Sequence, residues 1–342
     1  MTRKTAKISI RDVAMAAGVS VATVSNVVRN RKPVSAAVRA RVEKAIDTLG
    51  YMPDRAAMQL REGRNRIVGV LVPSLDNPFF TAIIACLEDC ARRDGYDIIV
   101  ASAGEDSDLA SSRLKALLSW RPAGMIVLPN DDRFADSVLL DTAGVPYVVI
   151  DRLPSSCHAD TVAAENEHAA AEAAACLAGL GHRRMAVVAT TLSLANIRER
   201  CAGIRGFCAK QGLPEPLVLE VGHHVEDDIP ALRDLLAGED APTAIIALTN
   251  SVTLGVLRCL NQSGYAVPGD VSLVGYDDYA WMRATLPPIT AIRQPVEELG
   301  AQGWTRLMYR IAGESTAYLQ VRVSCTLAVR GSTAPPRTGK RS

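Results

Sequence analysis

The sequence predicts a small all-α head followed by an α/β body of two doubly wound parallel-sheet lobes. Three observations carry this. The 342-residue chain has a net charge of only +1, yet residues 1–64 hold thirteen Lys/Arg against five Asp/Glu, a balance of +8; the rest hold 25 against 32, a balance of −7. Residues 10–49 carry apolar side chains at helical spacing. From residue 66 onward, short continuous apolar runs alternate with helical stretches in two successive series. Strands without polar alternation belong in sheets covered on both faces. A basic unit on an acidic one suggests a polyanion-binding head on a body that does not bind polyanions.

In the head, Ser9 and Asp12 have the spacing of a capping box, with Asp in place of Glu. A helix over 10–17 then places Ile10, Val13, Ala14 and Ala17 on one face. Gly18 breaks it, Val19 plugs the gap, and Ser20 caps a second helix over 21–29 with Val24, Val27 and Val28 inward. A third helix from Ser35 turns Val38, Val42, Ala45, Ile46 and Leu49 inward. Three short helices with a tight turn after the first form a helix-turn-helix arrangement. A recognition helix must fit a major groove about 12 Å wide, so small outward residues at its N-terminal end are favourable. Val21, Ala22 and Asn26 are the candidate base readers: the first two for thymine methyls, Asn26 for an adenine edge. Ser20, Thr23, Ser25, Arg29, Arg31 and Lys32 are the candidate phosphate contacts.

Residues 51–64 form a linker in which Pro53 stops the third helix and Asp54 caps a short one over 55–61. Paired with a twin on DNA, this hinge would present Arg55, Ala57 and Leu60 to the minor groove, with Leu60 wedged between base steps. The alternative is a linker helix resting on the core.

In the body, strands are expected at 67–72, 97–102, 124–129 and 146–151, with helices near 78–94 and 109–119. A second series has strands at 185–190, 217–221, 243–248 and 271–277, and helices near 165–180, 197–212, 228–237 and 251–264. In open parallel sheets, ligands bind beyond the carboxyl ends of the strands. The candidate ligand-binding residues there are Asn77, Phe79, Phe80, Asp151, Arg152, Thr249, Asn250 and Asp277, with Arg198 and Arg200 from the start of a helix. Short carboxylates, amides, Arg and an aromatic suit a polyol: planar polar groups bracket vicinal hydroxyls and a ring face packs on the sugar. Phe79 is equally a core residue, and Asp278 is equally a cap for the segment after it.

Other classes find less support. No apolar run reaches the ~18 residues of a membrane helix, and no hydrophobic stretch follows the basic N-terminus as in a secretory signal. The expectation is a cytoplasmic, nucleoid-associated protein. The eight cysteines form no CxxC and read as reduced thiols. His223-His224 with Glu226, Asp227 and Asp228 lacks the spacing of a helical metal site, so no metal is expected. There is no GxxxxGK or GxGxxG loop and no nucleophile setting, so no cofactor and no catalytic residue is assigned. An enzyme using Asp151 and Asp277 as a carboxylate pair, or a solute receptor built on the body alone, remain as alternatives. No leucine heptads follow the core, and 334–342 read as a disordered tail.

The stretches DVAMAAGVSVATVSNVV, PVSAAVRARVEKAIDTLGYMPDRAAMQL, IVGVLVPSLDNPFF, VPYVVIDR, LGHRRMAVV, RERCAGIRGF, PTAIIALTNS, DVSLVGYDDY, LPPITAIRQPVEELG and LAVRGST, in that order, resemble the LacI–GalR repressors over residues 8–333. The resemblance implies a homodimeric repressor binding double-stranded operator DNA, with a periplasmic-binding-protein-like body that holds a small effector, most naturally a sugar. It implies domains of 1–50 (DNA-binding), 51–64 (hinge) and 65–333 (body). Lobe 1 would be 65–161 with 292–321, lobe 2 162–290 with 322–333, and the last helix, 296–312, would belong to lobe 1. It also matches Phe80, Arg200, Asp277, Asp151 and Thr249 to effector contacts and puts His223 and His224 at the cleft edge. The base-reading residues Val21, Ala22 and Asn26 depart from the arginine-containing versions common in the family.

Overall fold

A computed structural model of the chain describes residues 8–29, 33–51, 65–104, 106–131, 137–154, 158–222, 225 and 229–337. The chain divides into two compact units, the boundary in the sequence falling between Asn65 and Arg66.

The first unit holds α1 (Ile10–Ala17), α2 (Val21–Arg29) and α3 (Ala36–Leu49). The Asp12 carboxylate accepts hydrogen bonds from both the backbone N–H and the hydroxyl of Ser9, 2.8 Å each, which holds the first turn of α1. These bonds keep its carboxyl below the usual range. Gly18 ends α1 at φ 61°, where a side chain would be strained, and Val19 N–H closes the turn on Ala14 O at 3.0 Å. The Ser20 hydroxyl then accepts from Thr23 N–H at 3.1 Å and caps α2. Val13, Ala14, Ala17, Val24, Val27, Val42 and Ala45 form the buried core. Residues this small let three short helices approach closely.

The second unit has two six-stranded sheets. Lobe 1 is built from β1 (Ile67–Val72), α4 (Pro78–Asp94), β2 (Asp97–Ser102), α5 (Ser107–Ser119), β3 (Gly124–Val127), α6 (Ser137–Ala143), β4 (Tyr147–Ile150) and β5 (Asp160–Ala164). Lobe 2 follows with α7 (Asn166–Gly179), β6 (Met185–Ala189), α8 (Ala195–Lys210), β7 (Leu217–Glu220), α9 (Pro230–Ala237), β8 (Ala244–Ala247), α10 (Asn250–Gln262), β9 (Ser272–Tyr276), α11 (Ala280–Ala284) and β10 (Thr290–Arg293). The chain then returns to lobe 1 for α12 (Val296–Ile311) and β11 (Gln320–Val323), and ends in lobe 2 with β12 (Thr326–Ala328). The strand orders are β11-β5-β4-β3-β1-β2 and β12-β10-β9-β8-β6-β7. Every pairing is parallel except β10 with β12.

Both faces of each sheet are buried, as continuous apolar strands require. In lobe 1, Val68, Val70 and Val72 pack with Phe79, Phe80, Ile83 and Leu87 of α4 and Leu299, Trp304 and Leu307 of α12. The opposite face packs on Leu114, Leu117 and Leu140. In lobe 2, α7 and α8 cover one face, and α9 and α10 the other. Asp160 ties lobe 1 together: its carboxylate, inaccessible to solvent, accepts from Arg306 (3.2 Å), Arg310 (2.8 and 2.9 Å) and Leu319 N–H (2.8 Å). The described cysteines are free thiols, and burial pushes Cys86 up to about 11.

Sheet membership puts the three crossovers after Ala164, Arg293 and Val323, one to three residues beyond the places expected near 161, 291 and 322. Other expectations are corrected. The strands β5, β10, β11 and β12 and the helices α6 and α11 were not expected from periodicity, being three to seven residues long. Within the tail expected to be disordered, Ala334 is anchored. Its carbonyl accepts from His182 Nε2 (2.9 Å), and its N–H donates to Ser272 Oγ (3.0 Å). Among the described residues no helix is long and apolar enough to cross a membrane.

Candidate functional site

The carboxyl ends of the strands of both lobes face a cleft of about 780 Å³. Two aspartates stand at equivalent places in it. Asp151 follows β4 and Asp277 follows β9, at φ 76° and 80°. Each keeps its backbone N–H in the sheet, Asp151 to Val162 O (2.9 Å) and Asp277 to Ile292 O (2.7 Å), while the left-handed turn departs from the strand. Asp tolerates this conformation better than larger residues, and strain of this kind concentrates at functional sites.

Asp151 is buried and Asp277 half-buried, and both carboxylates are already partnered. Asp277 accepts from Gln294 Nε2 (2.6 Å) and from Asn250 N–H (2.9 Å), the first residue of α10. Asp151 accepts from Asn196 Nδ2 at 3.1 Å, and Arg152 Nε lies 3.8 Å away. Arg200 is buried beside both. Its Nε donates to Asn166 Oδ1 (2.9 Å), its Nη1 to Leu248 O (2.6 Å), and its guanidinium lies 3.7 Å over the Tyr276 ring. Burial pushes both carboxyls up, against the pull of the neighbouring guanidinium groups and hydrogen bonds. Burial works against the Arg200 cation, but the surrounding acidic groups outweigh it and hold it charged.

Of the residues expected at the site, Asn77, Phe79, Phe80, Asp151, Arg152, Arg200, Thr249, Asn250 and Asp277 line the cleft. Several also have a local duty. Asn77 Oδ1 caps α4 through Phe79 N–H (3.0 Å), and Thr249 Oγ1 caps α10 through Val252 N–H (3.3 Å). Asn250 Oδ1 accepts from Trp281 Nε1 at 2.8 Å. Phe79 and Phe80 are core residues, nearly fully buried, that stack edge-on with centroids 5.4 Å apart. Arg152 Nη1 donates to Pro129 O at 2.9 Å. Arg198 is not among the lining residues: it is exposed and donates to the carbonyls of Leu192 (2.9 Å) and Ser193 (2.8 Å). Asp278 does not cap a segment; it is buried and paired with Arg293 and Arg330.

The sequence reading missed Asn196, Gln294 and Thr190, which line the cleft. Thr190 Oγ1 and Gln294 Oε1 are buried there without a hydrogen-bond partner among the described residues. Thr190 directly follows β6, so the rule that singled out Asp151 would have found it. Gln294 follows β10, a strand that periodicity did not show.

In the head, Val21 and Ala22 are exposed at the start of α2 and Asn26 is half-buried one turn on. Ser20 Oγ and Thr23 Oγ1 lie 2.9 Å apart, and Ser25 is half-buried. Arg29 is the last residue of α2. Arg31, Lys32, Arg55, Ala57, Leu60, His223, His224, Glu226, Asp227 and Asp228 lie outside the described residues. Among the described residues no group of three or more His, Cys, Asp or Glu could hold a metal.

Comparison with known proteins agrees with both halves. Residues 9–54 match the family model for bacterial regulatory proteins of the lacI family, and residues 174–333 that for the periplasmic binding protein-like domain. The HTH-type transcriptional repressor PurR of Vibrio campbellii is 32% identical over 306 residues, 89% of this chain and 92% of that one. The lac repressor dimer bound to operator and the anti-inducer ONPF superposes with a TM-score of 0.85 at 28% identity, over 96% of this chain and 100% of that one. The complex of the transcriptional regulator CelR with cellobiose gives a TM-score of 0.72 at 30% identity, over 95% and 100%. The chain therefore belongs to the lacI family of bacterial regulatory proteins and is a DNA-binding transcription repressor under small-molecule control.

Proposed function

We propose that the protein is a homodimeric repressor whose effector is a neutral sugar bound between the lobes. The observation that carries this is the state of the charged groups in the cleft. Arg200 and Arg152 spend guanidinium N–H groups on protein carbonyls and on Asn166. They are balanced by Asp151 and Asp277, so among the described residues lining the cleft there is no surplus cation for a phosphate or sugar acid. What it does offer is acceptor capacity on two carboxylates and the unmatched oxygens of Thr190 and Gln294. Hydroxyl groups supply the donors such oxygens need. The volume is within the usual range for small ligands, and the CelR structure holds cellobiose in the same fold.

On DNA, two copies of α2 would occupy successive major-groove faces of a near-palindromic operator in the nucleoid of the cytoplasm. Val21, Ala22 and Asn26 would read bases, while Ser20, Thr23, Ser25, Arg29, Arg31 and Lys32 hold phosphates. Arg55, Ala57 and Leu60 would enter the minor groove at the centre. The lac repressor dimer on its operator supports this arrangement.

A thermal-shift screen tests the cleft, because a ligand raises the melting point by mass action. At least one neutral sugar raises Tm in the wild-type chain and not in Asp277→Asn. A shift from sugar phosphates, sugar acids or purines alone overturns the reading. Gel shifts on genomic fragments and on scrambled duplexes test the head: equal affinity for all would rule out specific readout.

A further inference from the structure

Helix α8 belongs to lobe 2, yet three side chains of its first turns reach three different places. Asn196 holds Asp151 of lobe 1 at the front of the cleft, 3.1 Å away. Arg200, one turn on, lies in the cleft floor against Asn166. Glu199, between them, faces away from the cleft. Its Oε2 accepts from Asn166 Nδ2 (2.9 Å), and its two oxygens take both ends of Arg322, 2.7 Å to Nη2 and 2.9 Å to Nη1. Arg322 sits on β11 in the sheet of lobe 1, and its Nη1 also donates to Ala164 O (3.1 Å), the last residue of β5. A hydrogen-bonded chain thus runs from the cleft, through Arg200, Asn166 and Glu199, to Arg322 and the ends of two of the three crossovers.

Asn166 is fully buried and has both amide atoms committed, Oδ1 to Arg200 and Nδ2 to Glu199. Gly203 lets α8 approach α7 closely: a Cβ there would sit 2.0 Å from Glu167 O. That close approach brings Asn166, at the start of α7, within reach of Glu199 and Arg200. Burial raises the Glu199 carboxyl, but the Arg322 and Asn166 hydrogen bonds outweigh it and keep it ionised.

We propose that Glu199 is a positioning residue that couples the occupancy of the cleft to the orientation of lobe 1, acting through Asn166 on Arg200 and through a bidentate ion pair on Arg322. The inference rests on the reading that Arg200 faces the effector. A contact that bridges the lobes and shares a partner with the ligand-facing guanidinium is biased by both the ligand and the lobe angle. The Asn196–Asp151 bond closes the front of the same interface, so α8 bears on lobe 1 at two separated points.

The test is the distance between the lobes in the full-length, ligand-free protein. Nitroxides are placed at exposed Leu109 of lobe 1 and exposed Leu217 of lobe 2 through a keto-bearing amino acid, and the labelled chain is diluted into unlabelled protein. Pulsed electron resonance then reads one separation. Glu199→Gln and Arg322→Gln shift or broaden that separation on the order of 2 Å, a size common in domain rearrangements. The exchanged pair, Glu199→Arg with Arg322→Glu, returns it toward the wild-type value. Coupling is read by a cycle with the cleft. Arg200→Lys, or Asn166→Ala should Arg200→Lys fail to fold, changes the separation in the wild-type chain and adds nothing in the Glu199→Gln chain. Unchanged separation in the single variants, no rescue by the exchange, or additive effects in the cycle each overturn the proposal. Loss of sugar binding is scored separately: a coupled cycle with no neutral sugar bound leaves the relay standing and removes the sugar reading.

Discussion

In the head, the described buried side chains are small and apolar, and its hydroxyls and amides stay at or near the surface. In the body, carboxylates, a guanidinium, amides and a histidine are buried. The contrast follows from what each unit must recognise. Duplex DNA is a dense polyanion, and surface charge with a thin rim of base-reading groups is enough to grip it. A small molecule carries no such extended field. It is recognised by polar groups taken out of water and fixed in advance; the charged ones are paired within the protein, while Thr190 Oγ1 and Gln294 Oε1 have no partner among the described residues. The head is therefore held by apolar packing and helix caps, and the body also by buried ion pairs.

The largest expected effect is Asp160→Ala. Removing the carboxylate leaves Arg306 and Arg310 facing each other at the edge of lobe 1, and loss of one partner of a buried pair costs about 3–5 kcal/mol. Urea unfolding of the body should show it, while the head's far-ultraviolet transition stays in place. Although burial opposes it, the Asp160 carboxyl is held below its ordinary value by Arg310, Leu319 N–H and Arg306. Its contribution is thus full above the unfolded carboxyl value, about pH 4, and is lost as pH falls through the lower folded value.

Gly203→Ala comes next. With a backbone oxygen 2.0 Å from the new Cβ, α8 must move off α7, which costs about 1–3 kcal/mol and disturbs Asn166. A small loss of stability with unchanged sugar response would show that the two helices need not be so close. In the head, Ser20→Ala removes the α2 cap and costs about 1 kcal/mol of head stability, leaving the body's melting unchanged. The smallest effect is a slope. His182 is buried, which lowers its pKa despite the bond to Ala334 O. The neutral ring is the folded form, so stability is full above the unfolded value near 6.5 and declines as pH falls toward the lower folded value. His182→Asn should flatten that decline in Tm between pH 7 and 5.5; an unaltered slope assigns it to other groups.

The two units were also legible to different degrees. The head's first two helices begin at Ser9 and Ser20 and the first ends at Gly18, as read, because caps and left-handed turns are set by local chemistry; the third ends at Gly50, at φ 63°, ahead of the stop expected at Pro53. The central strands of the body were equally plain, since a strand buried on both faces is a run of Val, Ile and Ala. The short strands near the crossovers were not. In β11, Gln320-Val321-Arg322-Val323 alternates like a surface strand, because it lies at a sheet edge and its Arg322 reaches across to lobe 2. Asp151 and Asp277 were readable from their place after apolar runs. Arg198 was not separable from Arg200, since two residues along a helix point to different sides, and only packing decides which side is the cleft.

The order in which the strands are used has a consequence for how the chain is made. Sheet 1 ends on β11 and sheet 2 on β12, so residues 320–328 supply an outermost strand to each lobe. A ribosome releases the N-terminal segments first, and domains fold as units. The head can therefore take its shape early in synthesis, while both lobes wait for residues 320–328 to emerge. A nascent chain stopped before them would carry a folded DNA-gripping module with no means of answering to metabolism, and that pair of strands is what makes the product obedient.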